Sequence, residues 1–414
     1  MIQFDPNGIP DISLRQLRAL VYVAEYQNVT KASKELNRSQ TAITKAISDL
    51  ELTVGKKLFD RTSTGMILTP HGKSLTVRSK RAMDEFKKVG DKLLEYSDIN
   101  RPVENIPIFS MDISYKRLSA FIALYHLNNY QRAAEQLNIT KAAIYSSVRQ
   151  MEEWLEMPLF NSAPSGVSPV PFCHVLAQHI KLAFAEIRHG IEDMANIDGI
   201  TCGNVKIGTL PYTRTYLTPN AINKLLKEYP GLGVTTYEGT YELMESSLRS
   251  GDIDLIIGAV RTMDKSNDIK TEILLEDKLS IVARKHHPLM NKSKVTLNDL
   301  NEYGWILPEF HTPAGKLFIE TMNSHGCSLP DQAIHTSSLS MIRGLLISSD
   351  RVALLSKHQI FYDEHSDLLD VLPVKMDDTY RSIGITMRKH TEPSPAAQLF
   401  LNKLRQVADE IVVA

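Results

Sequence analysis

The chain has 414 residues, with 47 Lys+Arg against 48 Asp+Glu and a formal net charge of −1; roughly 100–200 residues per domain calls for two to four cores, and so balanced a charge names no partner. Its 43% hydrophobic and 23% charged content excludes disordered and fibrous classes. No run approaches the roughly 18 apolar residues of a membrane span, and the first dozen residues lack a signal pattern, so a cytoplasmic protein with no membrane partner is expected. Cys173, Cys202 and Cys327 show no CxxC spacing, which supports neither a disulfide framework nor a thiolate metal site.

A shift of 101 residues aligns 11–72 with 112–173 without a gap. Asp11-Ile12-Ser13 meets Asp112-Ile113-Ser114, Leu36-Asn37 meets Leu137-Asn138, Ala42-Ile43 meets Ala143-Ile144, and Leu58-Phe59 meets Leu159-Phe160; Asn28, Glu51, Gly65 and Pro70 recur as well. In the first copy, Leu14, Leu17, Leu20, Val21 and Ala24 form one helical face. A short helix is expected from Thr30, with the Thr30 hydroxyl as its cap, and a third from Ser39 with Ala42, Ile43, Ile47 and Leu50 buried. Leu58-Phe59 and Met66-Ile67-Leu68 read as two short strands around Gly65. The pattern is a winged helix-turn-helix over 12–70, repeated over 112–172.

Long helices are expected at 71–97 and 173–197. On the second, Leu176, Ile180, Ala183, Ile187, Ile191 and Met194 form a seam suited either to another helix of an oligomer or to the protein's own domain. Residues 98–111, with Pro102 and Pro107, read as a stiff linker. From 203 to 414 short strands (205–207, 233–237, 254–259, 279–283, 304–307, 351–355, 382–387) alternate with helices (219–228, 242–250, 339–346). Parallel sheets covered on both faces are therefore expected, in two lobes, one of about 203–262 plus 380–414 and the other of about 270–375, with a cleft between.

The copies differ in charge. Residues 12–92 hold sixteen Lys/Arg and eight Asp/Glu, whereas residues 113–193 hold seven of each, so only the first copy has the footprint of a nucleic-acid binder. Off its buried stripe the third helix carries Gln40, Thr41, Thr44, Lys45 and Ser48, groups able to approach base edges in a major groove. Lys45 and Arg61 are replaced by Ser146 and Ser162 in the second copy, which is thus degenerate and read as structural or oligomerising.

The residues Leu14-Arg15-Gln16-Leu17, Ser39 through Ile47, Leu50-Glu51, Leu58 through Thr62 and Leu68-Thr69-Pro70-His71-Gly72 resemble the LysR-type transcriptional regulators. The resemblance extends to Leu217–Pro219, Tyr229-Pro230, residues 251–255 and His287-Pro288-Leu289. It implies a multidomain protein in which two winged helix-turn-helix units with linker helices precede a two-lobed α/β effector domain like a periplasmic binding protein. It also implies promoter DNA, a small-molecule co-inducer, RNA polymerase and a homo-oligomer, dimer or tetramer, as partners. DNA contacts are expected from Arg38, Ser39, Gln40, Thr41, Thr44, Lys45, Arg61 and Thr62. The effector, a small organic acid, is expected at Tyr212, Thr213, Thr240, Glu309, His311 and Arg351, although Thr213 is equally a helix cap and Arg351 equally a surface residue. Family members ordinarily carry one winged unit, so the second copy is a departure.

An enzyme is not expected. Ala314-Gly315-Lys316 is half a phosphate loop, but residue 310, where the first glycine would stand, is Phe310. HExxH and GxSxG are absent, and His286-His287 has no partner at metal spacing; no catalytic residue, metal or cofactor is assigned. The reading from another class is an assembly protein in which both winged units are structural and bind no DNA.

Overall fold

The computed structural model describes residues 4–6, 10–62, 65–97, 101–164, 166–261, 268–376, 379–389 and 391–413. The chain divides into two compact units, Met1–Cys202 and Gly203–Ala414.

The first unit holds both copies around one continuous core. Helices α1 (Leu14–Tyr26), α2 (Val29–Glu35) and α3 (Gln40–Val54) precede an antiparallel wing of β1 (Phe59–Thr62) and β2 (Gly65–Leu68), then the long α4 (Pro70–Leu93). The second copy repeats this as α5 (Tyr115–Leu127), α6 (Tyr130–Leu137), α7 (Lys141–Leu155), β3 (Phe160–Ala163), β4 (Gly166–Pro169) and α8 (Pro171–Ile197).

The residues common to both copies are the ones the backbone needs. Asn28 and Asn129 cap α2 and α6 with their side-chain oxygens; the cap is Asn28 rather than the expected Thr30, because Asn28 holds the extended conformation an N-cap requires. The Glu51 carboxylate accepts from the Leu58 N–H at 2.8 Å, as Glu152 does from Leu159 at 2.8 Å, tying each third helix to its wing. Gly65 and Gly166 have φ of +143° and +145°, and a Cβ at either would strike the carbonyl oxygen of Gln27 or Asn128.

Two expectations change in this unit. The stretch after α4 is more than a linker: Ile106, Ile108 and Met111 are fully buried in the shared core, and Val103 and Phe109 lie so close to Gly90 of α4 that a Cβ there would crowd them. The α8 seam packs on α4 of its own chain, with Leu176, Ile180, Ala183 and Ile187 buried there.

The second unit is α/β. β5 (Asn204–Thr209), α9 (Leu217–Glu228), β6 (Gly233–Glu238), α10 (Tyr241–Arg249), β7 (Leu255–Ala259) and the long β8 (Ile269–Arg284) are followed by β9 (Trp305–Leu307), α11 (Pro313–Ser324) and β10 (Ala333–His335). Then come α12 (Leu339–Ile347), β11 (Val352–Ser356), α13 (Phe361–His365), β12 (Leu369–Val371), β13 (Tyr380–Arg388) and α14 (Pro395–Val413). The first lobe has strand order β6-β5-β7-β13-β8, and the second β8-β11-β9-β10 with β12 also on β8.

The sheets are mixed rather than parallel: β5 pairs β6 and β7 in parallel, but β13 lies antiparallel to β7 and β8, and β11 antiparallel to β8. The lobe boundary falls inside β8, whose residues 269–278 pair β13 and whose residues 279–284 pair β11 and β12. One continuous strand thus serves both lobes. α14 was not among the expected elements; it buries Ala396, Ala397, Phe400, Leu401, Leu404, Val407 and Ala408 in the first lobe's core.

Candidate nucleic-acid interface and effector cavity

On α3, Ile43, Ile47 and Leu50 point into the core, which leaves Gln40, Thr41, Lys45 and Ser48 exposed and Thr44 half-buried. Ser39 caps the helix by accepting from the Ala42 N–H at 3.1 Å. Arg61 stands exposed on β1, while the neighbouring Thr62 hydroxyl donates to the Gly65 carbonyl at 3.1 Å. Arg38 is held on Asp112 at 3.0 Å, a carboxylate it shares with Arg15. The expected contacts therefore divide: Gln40, Thr41, Thr44, Lys45 and Arg61 form a polar face, whereas Ser39, Arg38 and Thr62 have partners within the unit.

In the second unit a cavity of about 540 Å³ opens between the lobes. It lies beyond the carboxyl ends of β5, β7, β9 and β10, where open α/β sheets place ligands. The first turns of α10, α11 and α12 also line it, through Thr240–Glu242, Thr312–Ala314 and Leu339. Their dipoles favour a negative charge.

Of the expected effector residues, Tyr212, Thr240, Glu309 and His311 line this cavity; Thr213 and Arg351 do not. Thr213 is fully buried, and its hydroxyl donates to the Leu210 carbonyl at 3.1 Å, so it serves the backbone. Arg351 precedes β11 and lies against Gly304, at the opposite ends of β11 and β9 from the cavity. Thr240 caps α10 by accepting from the Leu243 N–H at 3.3 Å.

Three arginines that the sequence did not single out do line it: Arg214, Arg261 and Arg381. Arg214 donates to the Thr209 carbonyl at 2.8 Å and pairs with Glu238 at 3.2 Å; burial lowers its pKa. Arg261 lies 4.9 Å over the Tyr241 ring. Arg381 pairs with Asp277 at 3.1 Å and lies 5.4 Å over the Tyr212 ring.

Asp277 sits in β8 at the register of Arg381, where the strand passes between lobes, and accepts from the Ser356 hydroxyl at 2.5 Å. Burial raises its carboxyl pKa against the pull of Arg381 and Ser356. Burial first, then the Asp277 charge, likewise drives the Tyr212 hydroxyl well above its ordinary value. Among the described residues the Tyr212 hydroxyl, Arg381 Nη2 and Arg261 Nε are buried polar atoms without a hydrogen-bond partner, an expensive arrangement unless something else fills the site.

The LysR substrate binding domain model matches residues 199–409, and the bacterial regulatory helix-turn-helix model of the lysR family matches twice, at 14–73 and 115–173. The HTH-type transcriptional regulator GalR of Pseudomonas putida is 31% identical over 398 residues, covering 96% of this chain and 98% of that protein. The chain belongs to the LysR family. It is a DNA-binding transcriptional regulator controlled through a small-molecule effector domain, and it carries the family's helix-turn-helix twice.

The HTH-type transcriptional regulator PcaQ of Agrobacterium fabrum, 25% identical over 299 residues, covers 72% of this chain and 96% of that protein. The match to GalR is about a hundred residues longer, close to the length of one winged unit with its linker helix. CbnR, solved in complex with its target DNA, shares the LysR fold at a TM-score of 0.53 and 15% identity, over 71% of this chain and 100% of its own. Among the described residues no helix is long and apolar enough to cross a membrane.

Proposed function

We propose that this LysR-family regulator answers to a small organic anion held in the inter-lobe cavity and reads promoter DNA through Gln40, Thr41, Thr44, Lys45 and Arg61. The observation that carries the effector reading is the set of unpartnered donors on the cavity wall, the Tyr212 hydroxyl and the Arg381 and Arg261 nitrogens, beside three helix starts. A carboxylate is the acceptor that such donors favour, and each charge-assisted hydrogen bond contributes roughly 1.5–3 kcal/mol. Glu238 is already paired with Arg214, and hydrogen bonds from its own N–H and from Thr240, with Arg261 and His311 nearby, hold the Glu242 carboxyl below its usual range. The protein works in the cytoplasm as a homo-oligomer that contacts RNA polymerase, without catalysis, metal or cofactor. CbnR with its target DNA supports the same use of the winged unit here.

Calorimetry against a panel of small carboxylic acids tests the effector reading. Tyr212→Phe is expected to weaken binding about tenfold while leaving the unliganded protein as stable or slightly more so, because it removes a buried hydroxyl that lacks a partner. Thr213→Val is expected to lower stability by about 1 kcal/mol and leave affinity unchanged. Selective binding of a cation, or full affinity in Tyr212→Phe, rejects the reading.

A further inference from the structure

The two winged units meet as equivalent partners meet in a two-fold dimer, yet both belong to one chain. Arg78 of α4 donates to Glu186 of α8 at 3.1 Å, and Glu85 of α4 bonds His179 of α8 at 2.7 Å. Positions 179 and 186 are the repeat equivalents of 78 and 85, so the same two positions are bridged once in each direction. The helix ends repeat the relation. His71 bonds Asp198 at 3.0 Å, and Phe172, the equivalent of His71, packs on Tyr96 with ring centroids 5.5 Å apart, one residue from the equivalent of Asp198. At the starts of the first helices, Arg15 of one copy pairs with Asp112 of the other, while Asp11, the equivalent of Asp112, hydrogen-bonds Tyr115, one residue before the equivalent of Arg15. Position i meeting j' while j meets i' is the mark of an isologous contact.

This contact is also closed. Leu75, Ala82, Phe86, Val89 and Leu93 of α4, like the α8 seam, are buried within the single chain. The units are unequal in what they offer outside it. Gln40 and Lys45 stand exposed on α3; on α7 Lys141 is exposed too, but Ser146 replaces the Lys45 cation, Arg149 lies between Glu152 and Glu153 at 3.8 and 3.7 Å, and the Tyr145 ring leans on Tyr130 at 5.9 Å.

We propose that one chain is by itself a complete two-winged DNA head, in which the second unit stands in for a partner subunit and the first alone reads bases. Each chain then reads one asymmetric element of duplex DNA. The proposal rests on the DNA reading above and deepens it.

Two measurements on the full chain test it. Light and nitrogen-15-labelled chains are unfolded together, refolded, and coupled with a spacerless carbodiimide, which joins Lys56 to Asp198 across their 2.7 Å ion pair. The cross-linked peptides are expected to be wholly light or wholly heavy; a mixed-isotope fraction near one half overturns the single-chain head. Duplexes are then selected from a random pool. One asymmetric element is expected, with enrichment lowered at least tenfold by Gln40→Ala and unchanged by Lys141→Ala, its repeat equivalent. An inverted repeat with matched halves, lost equally in both variants, overturns confinement of base reading to the first unit. No enrichment by the wild-type chain overturns the DNA reading itself, and is distinguished from failure of the head by the isotope pattern.

Discussion

Lys45 and Arg61 are exposed cations with no ion pair among the described residues, so a phosphate or base edge gains them without breaking an existing contact. Arg38 and Arg149 already lie on carboxylates, and a DNA contact from either has to replace one favourable interaction with another. Lys45→Ala and Arg61→Ala are accordingly expected to lower DNA affinity and to reduce the slope of log affinity against log salt by about one each if the lost contact is a phosphate, while Arg149→Ala leaves it unchanged. Filter binding across a salt series reads both quantities, and an equal fall in all three variants contradicts the assignment. The polar face of α3 was legible because its residues alternate with a helical buried stripe. Arg381 was not, since it reaches the cavity through a strand pairing with Asp277, distant by more than a hundred positions. Arg351 misled for the converse reason, because its place before a strand does not say which end of the sheet faces the cleft.

The seam of α8 was legible as an apolar stripe, but a stripe records burial without recording what covers it. The answer came from α4, whose Arg78 and Glu85 supply the polar partners of α8. Short strands and capped helices of the second unit were likewise visible from their spacing, whereas β8 was half missed: its first part carries Lys270, Thr271 and Glu272 beside apolar residues and lacks a clean alternation. Ile187 is 1% exposed inside the single chain. Ile187→Glu therefore buries an unpaired charge in the core of the first unit and is expected to cost several kcal/mol of that unit's stability. Chemical denaturation should show a lowered transition for the first unit with the second unit's unchanged; clean dissociation into smaller, fully folded particles would return the seam to an intermolecular role.

At the scale of the whole molecule, each unit closes its own core. The apolar cluster of the first runs from Ile12 to Met194, and those of the second from Val205 to Ala408. The residues proposed to face DNA belong entirely to the first, and the unpartnered donors of the cavity entirely to the second. Separately produced fragments of residues 1–202 and 203–414 are therefore expected to fold alone, because each carries its own apolar clusters. The second fragment should bind the same carboxylic acids as the full chain within about threefold, since the groups that form the site all remain, and a threefold change is only about 0.6 kcal/mol. The first should retain salt-dependent duplex binding with a slope near that of the intact chain, because its cations are all present. Calorimetry on one fragment and a salt titration on the other decide the matter. Loss of acid binding by a folded second fragment would mean that the effector site needs residues from outside the cavity described above.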